Sequence, residues 1–183
     1  MGHIAAFIDF QGTLGGSGVD DITTLNFYPF SISAIKKLNI NGILIIGITN
    51  QSRISKGEFT WDEYLEKLHR LKEALSSSNA YFYAVYCCPH QREDSCGCKK
   101  PKTGMIDTAL SNFDIDIKNS FVVGDMGMPD MVLAKNIGAK SILVLTGVGK
   151  CSLYEYKSTW QDIEPNFVAK DLLDAVNHIL LYS

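Results

Sequence analysis

Four short runs in this chain are apolar on both faces: Ile4-Ala5-Ala6-Phe7-Ile8, Ile43-Leu44-Ile45-Ile46-Gly47-Ile48-Thr49, Phe121-Val122-Val123 and Ile142-Leu143-Val144-Leu145. A strand with one wet face alternates apolar and polar residues, whereas runs like these suit strands buried on both sides of a parallel sheet. The aromatic stretch Tyr81–Tyr86 reads as a further strand. Helical segments fall between them. Ser31–Leu38 is closed by a left-handed turn at Asn41-Gly42. Thr60-Trp61-Asp62-Glu63 forms a capping box that opens a helix with Tyr64, Leu65, Leu68, Leu71 and Leu75 on its core face, and His69 of that helix is expected at the solvated surface. Thr103–Phe113 is the next helix. Another has Pro129 at its first position and Gly138 at its end, and Asp171–Leu181 closes the chain. This alternation implies an α/β fold, a parallel sheet with helices on both faces. One domain spanning residues 1–183 is expected at this length.

The stretch Cys88-Pro89-His90…Cys96-Gly97-Cys98 is the second strong constraint. Three thiols and an imidazole within eleven residues match the preferred donors of tetrahedral zinc. The intervening residues are polar, so no apolar side chain anchors the loop and a metal is its natural substitute. Four protein ligands leave no open position for water, so a zinc bound by Cys88, His90, Cys96 and Cys98 is structural. Cys87 and Cys151 bring the cysteine count to 5, and this odd, clustered set argues for metal in a reducing compartment rather than for disulfides. A net charge of −3 gives no reason to expect a nucleic-acid or membrane partner. Met1-Gly2-His3-Ile4 carries no signal-peptide pattern, and no apolar run is long enough for a bilayer, so a cytoplasmic protein is expected. No exposed apolar helix demands a partner subunit, and a monomer is expected.

In parallel α/β folds, ligands bind beyond the carboxyl ends of the strands. Those ends carry Asp9, then Thr49-Asn50, then the cysteine loop with Lys99 and Lys100, then Asp125. The set suits phosphoryl chemistry. A carboxylate can act as nucleophile and a second can hold Mg²⁺, while a hydroxyl, an amide and an ammonium meet phosphate oxygens. Gly12, Gly15, Gly16 and Gly18 form a loose stretch after Asp9.

In this order the residues resemble the haloacid dehalogenase (HAD) superfamily. Asp9-Phe10-Gln11-Gly12-Thr13 is similar to its D-x-D-G-T motif, and Thr49-Asn50-Gln51-Ser52 to the T-N-Q-S form of its second motif. Lys99-Lys100-Pro101 stands where one branch has R-K-P, and Gly124-Asp125 with Asp130 resembles the acidic fourth motif. That branch contains the heptose-bisphosphate and histidinol-phosphate phosphatases, which carry the same C-x-H…C-x-C loop. The resemblance runs from about Ile4 to Gly147. It implies a Rossmann-like, HAD-like sheet and a phosphatase of small phosphorylated metabolites such as sugar phosphates.

By position, the resemblance makes Asp9 the nucleophile and a ligand of catalytic Mg²⁺, with the carbonyl of Gln11, Asp125 and Asp130 as further ligands. Thr49, Asn50 and Gln51 would hold the phosphoryl group, Lys100 would stabilise its charge, and Lys99 would face the substrate. Arg53 and Lys56 are solvated or touch substrate. The short span from Asp9 to Thr49 leaves no room for a large cap domain, so the zinc loop and the segment Ser52–Phe59 are expected to shape the entrance. The acidic pair is spaced one residue wider than in close relatives.

Gln11 departs from the pattern. The family's second aspartate protonates the leaving oxygen and then takes a proton from water, and an amide does neither. Such acid–base help is typically worth about 10²–10⁴-fold. The expected activity is therefore impaired or unusual, and the rival expectation is a silent relative that binds a phosphorylated ligand or a protein partner.

Overall fold

A computed structural model of the chain describes residues 2–17 and 21–183. Met1 and Gly18, which entered the readings above, lie outside the described residues. Six parallel strands form one sheet: β1 (Ala5–Ile8), β2 (Leu44–Asn50), β3 (Ala84–Cys88), β4 (Phe121–Gly124), β5 (Lys140–Val144) and β6 (Phe167–Ala169). Their order is β3-β2-β1-β4-β5-β6. The chain winds outward from β1 to β3, then returns to place β4 on the other side of β1. A crevice opens at such a switch point, beyond the carboxyl ends of the strands. The register sets Ile8 beside both Gly47 and Val123, and Asn50 beside Cys88, so Asp9, Asn50, Cys88 and Asp125 emerge along one rim.

Helices cover both faces, as the unbroken apolar runs require. On one face α1 (Ser31–Ile40), α2 (Trp61–Ser76) and α6 (Leu172–Leu181) pack on Ala6, Ile8, Ile45, Val123 and Val144. On the other, α3 (Gly104–Asn112) and α4 (Val132–Ile137) pack on Ala5, Phe7, Ile46, Ile48 and Val122. Burial of each of these Val, Ile and Phe side chains stabilises by roughly 1.5–3 kcal/mol, so the strands are held from both sides. The Thr60 capping box is formed in both directions. Gly42 turns with φ 73° after α1, and Gly138 with φ 74° after α4.

Several expectations need correction. Leu65 is not on the core face of α2: Tyr64, Leu68, Leu71 and Leu75 are buried, but Leu65 lies one residue off that stripe and is exposed. His69 is exposed and faces Glu73 at 3.4 Å, as expected. The third strand is Ala84–Cys88 rather than Tyr81–Tyr86, because pairing with β2 begins at Ile46 beside Ala84. Tyr81 and Tyr83 stack edge-to-face outside the ladder, half exposed, and their aromatic β-propensity misplaces the start of the strand. Pro129 does not begin a helix. It sits inside a π-helical turn, Gly127–Met131, which leads into α4. A fifth helix, α5 (Gly149–Tyr154), and β6 carried no clear pattern in the sequence. No helix among the described residues is long and apolar enough to cross a membrane.

Candidate active site

Asp9 leaves β1 at the switch point, its N–H donating to Val123 O at 3.0 Å. The following turn is pinned from two sides. Phe10 is buried with its ring over Gly47, where a Cβ would meet the ring at 2.7 Å. Gly12 has φ 77° and passes so close to Asp125 that a Cβ would come within 1.9 Å of its Oδ2. Only glycine permits both the conformation and the approach.

Asp125 is fully buried at the end of β4. Its Oδ2 accepts from the Val148 N–H at 2.8 Å, while its Oδ1 is buried with no hydrogen-bond partner. Asp130 is 1% exposed, although the dipole of a helix start would have suited a surface aspartate there. The π-helical turn explains this. Val132 N–H bonds to Gly127 O, five residues back, so the turn is one residue wider than an α-turn and swings Asp130 inward. Asp130 Oδ2 accepts from Met126 N–H at 3.2 Å and its Oδ1 accepts from Lys100 Nζ at 2.7 Å. Lys100 Nζ also donates to Asp9 Oδ1 at 2.7 Å.

One buried ammonium therefore bonds two of three clustered carboxylates. Carboxylate oxygens of Asp9, Asp125 and Asp130 all lie within 4.8 Å of one another. Burial and the Asp9 charge push the Asp125 carboxyl well above the ordinary range, and burial pushes Asp130 up to about 6 despite Lys100. Burial alone would lower Lys100, but Asp130 and Asp9 outweigh it and hold its proton in place. A divalent cation fits this charge deficit and the orphaned Asp125 oxygen. Hard carboxylate oxygens are also the donors Mg²⁺ prefers.

Gln11 lies beside the cluster, hydrogen-bonded into a polar layer. Gln51 Nε2 donates to Gln11 Oε1 at 2.9 Å and to Thr49 Oγ1 at 2.7 Å, and Gln11 Nε2 donates to Gln51 Oε1 at 3.3 Å. Thr49 is fully buried and Gln51 is 2% exposed. Asn50 pairs with the main chain of Lys100 at both ends of its amide, at 3.2 and 3.0 Å. Lys99 Nζ donates to His90 O at 3.0 Å, so it buttresses the cysteine loop.

That loop converges as expected. Cys88 Sγ lies 3.0 Å from Cys98 Sγ and 3.8 Å from Cys96 Sγ, and His90 Nδ1 lies 3.3 Å from Cys98 Sγ. All four donor atoms lie within 4.8 Å of one another. Three thiols with an imidazole at these separations could hold one tetrahedral zinc.

An inner cavity of about 70 Å³ is lined by Asp9, Gln11, Asn50, Lys100, Met126, Pro129 and Asp130. An outer one of about 380 Å³ shares Asn50, Lys100 and Pro129 with it and adds Arg92, Asp94, Lys99, Lys102 and Met128. The entrance is thus built by the cysteine loop and the turn after β4. The segment Ser52–Phe59 contributes no lining residue to either cavity; it meets the loop where Gln91 Nε2 donates to Ser55 O at 3.4 Å. Arg53 pairs with Glu58 at 3.4 Å and Lys56 is exposed. Sequence reasoning missed Thr146, Gly147 and Val148 altogether. Thr146 Oγ1 donates to Gly12 O at 2.6 Å, and a Cβ on Gly147 would lie 2.2 Å from Asp125 Oδ2. The signal was a glycine two residues past the apolar run Ile142–Leu145, at the same rim as the other motifs.

A family model described as HAD-hydrolase-like matches residues 97–175. A protein of Haemophilus ducreyi named D-glycero-beta-D-manno-heptose-1,7-bisphosphate 7-phosphatase is 30% identical over 189 residues, covering 98% of this chain and 100% of that one. The chain belongs to the HAD phosphatases, in the heptose-bisphosphate phosphatase branch. A Thermoplasma volcanium protein named probable D-glycero-D-manno-heptose-1,7-bisphosphate 7-phosphatase is 35% identical, over 72% of this chain and 91% of that one. The crystal structure of D,D-heptose 1,7-bisphosphate phosphatase from B. bronchiseptica, complexed with magnesium and phosphate, superposes with a TM-score of 0.87 at 25% identity. It covers 98% of this chain and 99% of that one.

Proposed function

We propose that this HAD phosphatase is a Mg²⁺-dependent hydrolase of a small sugar phosphate of the heptose-bisphosphate kind, working through an aspartyl phosphate on Asp9, with turnover limited by Gln11. The observation that carries this reading is the buried cluster of Asp9, Asp125 and Asp130 around the single ammonium of Lys100. Such a cluster is costly unless a cation or a substrate completes it.

In this reading Asp9, Asp125, Asp130 and the carbonyl of Gln11 hold Mg²⁺, which when bound supplies positive charge against the phosphate oxygens. Asp9 attacks phosphorus with Oδ2, the carboxylate oxygen that Lys100 does not bond. Lys100 keeps its proton and steadies the charge on the transferring group. Thr49 and Gln51 hold the polar layer beneath that group, and Asn50 fixes the peptide that carries Lys100. The outer cavity, with Arg92, Lys99 and Lys102, receives the rest of the substrate. Lysine at position 99 gives a point charge where the branch has arginine, so bidentate recognition is lost there. A structural zinc on Cys88, His90, Cys96 and Cys98 keeps Lys99 and Lys100 at the rim. Five cysteines without a disulfide, three of them zinc ligands in this reading, suit a reducing, cytoplasmic setting. The chain works as one domain and as a monomer.

The test is phosphate release in Mg²⁺ from heptose bisphosphates and histidinol phosphate, with Asp9→Asn as the blank. Release above that blank supports the reading, and equal rates from both proteins on every ester sink it. The paired amides of Gln11 and Gln51 favour a second reading, a silent relative that binds a phosphorylated ligand. That reading requires ligand-dependent thermal stabilisation with no phosphate released.

A further inference from the structure

We infer that Gln11 makes this site react faster with phosphoryl donors whose leaving oxygen departs without a proton, acyl phosphates above all, than with sugar phosphates, and leaves Asp9 as a phosphate acceptor that stays phosphorylated between slow hydrolyses. The inference rests on the reading of Asp9 as the nucleophile, and it follows from where protons can and cannot be held around that residue.

The inner cavity offers Gln11, Asn50, Lys100 and Asp130 as polar side chains beside Asp9. Gln11 is an amide whichever way it is turned, and it is hydrogen-bonded to Gln51 through both its oxygen and its nitrogen. Asn50 is an amide occupied at both ends by the Lys100 main chain. Lys100 is a buried ammonium bonded to two carboxylates at 2.7 Å each. Asp130 accepts a hydrogen bond on each oxygen, from Lys100 and from the Met126 N–H. Among the lining residues, none is placed to give a proton to a leaving oxygen or to take one from water.

The two half-reactions then separate. In the first, an Asp9 oxygen attacks phosphorus, and the bond from phosphorus to the bridging oxygen breaks with its electron pair on that oxygen. From an alkyl ester the leaving group is an alkoxide, whose conjugate acid is nearly as weak as water at about 15.7. From an acyl phosphate it is a carboxylate, whose conjugate acid ionises near 4, and no proton is needed. Donor and product are both mixed anhydrides of a carboxylic and a phosphoric acid, so this transfer is nearly balanced. In the second half-reaction a water oxygen attacks phosphorus and the bond to Asp9 breaks with its pair returning to the carboxylate. The water must shed a proton, and Gln11 cannot take it, so the proton passes to bulk solvent. General-base help of about 10²–10⁴-fold is missing at this step, and the phosphorylated form accumulates.

The experiment uses the full chain in Mg²⁺ with acetyl phosphate, followed by an acid quench and intact-protein mass spectrometry. The native protein should gain the mass of one phosphoryl group, mapped to Asp9 by fragmentation, absent from Asp9→Asn and removed by hydroxylamine as an acyl linkage must be. The Gln11→Asp protein should lose its adduct about 10²–10⁴-fold faster and release phosphate correspondingly. Hydroxylamine release requires no variant, so a poorly folded Gln11→Asp would not rescue the inference. A native protein with no adduct overturns it, as does an adduct equally long-lived in both. If Gln11→Asp then cleaves sugar phosphates while native protein forms no adduct, the phosphatase reading stands and only this inference falls. If neither protein differs from Asp9→Asn with any donor, both fall.

Discussion

The side-chain amide of Asn50 closes on the main chain of Lys100 from both ends: Nδ2 donates to the Lys100 carbonyl at 3.2 Å, and Oδ1 accepts from the Lys100 N–H at 3.0 Å. The end of β2 thereby holds the peptide that carries the site's one buried ammonium. Asn50→Ala should lose both bonds, a cost of about 1–3 kcal/mol in a denaturant melt. Its kcat should fall with little change in KM, because Lys100 loses its fixed position rather than the substrate a contact. A fall in KM-linked binding alone would instead mark Asn50 as a substrate ligand.

The acidic cluster makes stability depend on pH in a direction opposite to ordinary acid denaturation. Asp130 ionises near 6 in the fold against 3.8 ordinarily, and Asp125 is raised as well. Between those values the folded state binds more protons than the unfolded one, so the contribution of these carboxyls falls as pH rises through that window. Mg²⁺ binds the ionised form. The rise in Tm on adding Mg²⁺ should therefore be larger at pH 8 than at pH 5, and absent in Asp125→Asn. Equal shifts at both values would contradict the metal assignment.

The cysteine loop predicts roughly one zinc per chain by elemental analysis, lost in Cys98→Ser. Since Cys98 lies two residues before Lys100, that variant should lose activity together with its metal. Full activity without zinc would separate the loop from the site.

The Thr60 cap predicts a change in stability alone. Thr60→Ala should cost about 1 kcal/mol and leave kcat unaltered. Hydrogen bonds from the Thr60 N–H and hydroxyl hold Glu63 below its ordinary 4.5. Its contribution is present above that value and fades as pH falls through the lower folded one. The gap between thermal melts of native and Thr60→Ala protein should narrow in acid without closing, because Thr60 Oγ1 still accepts from the Glu63 N–H there.

What was legible in the sequence followed from strong local physics. Apolar runs such as Phe7–Ile8 and Ile45–Ile46 admit little but a buried strand, and residues at strand ends read directly as Asp9, Thr49 and Asp125. The four donors from Cys88 to Cys98 carry their own chemistry. What was hidden depends on registers and angles that only the folded chain sets. The wider spacing of Asp125 and Asp130 looked like a weak match until the π-helical turn swung Asp130 inward. The start of β3 depends on where Ile46 pairs, which no property of Tyr81–Tyr83 reveals. Gly147 and Val148 hold Asp125 through a backbone N–H and a close approach, and neither leaves a motif. The pairing of the Asn50 amide with the Lys100 main chain is likewise a matter of geometry alone.

The most direct test of the central claim is the ratio of kcat/KM between Gln11→Asp and the native protein on a heptose bisphosphate in Mg²⁺, with Asp9→Asn as the blank. Restoring the carboxylate should raise the rate by about 10²–10⁴-fold. A native protein already as fast as Gln11→Asp would show that the proton shuttle lies elsewhere, and a Gln11→Asp protein no faster than Asp9→Asn would contradict the phosphatase assignment for this substrate.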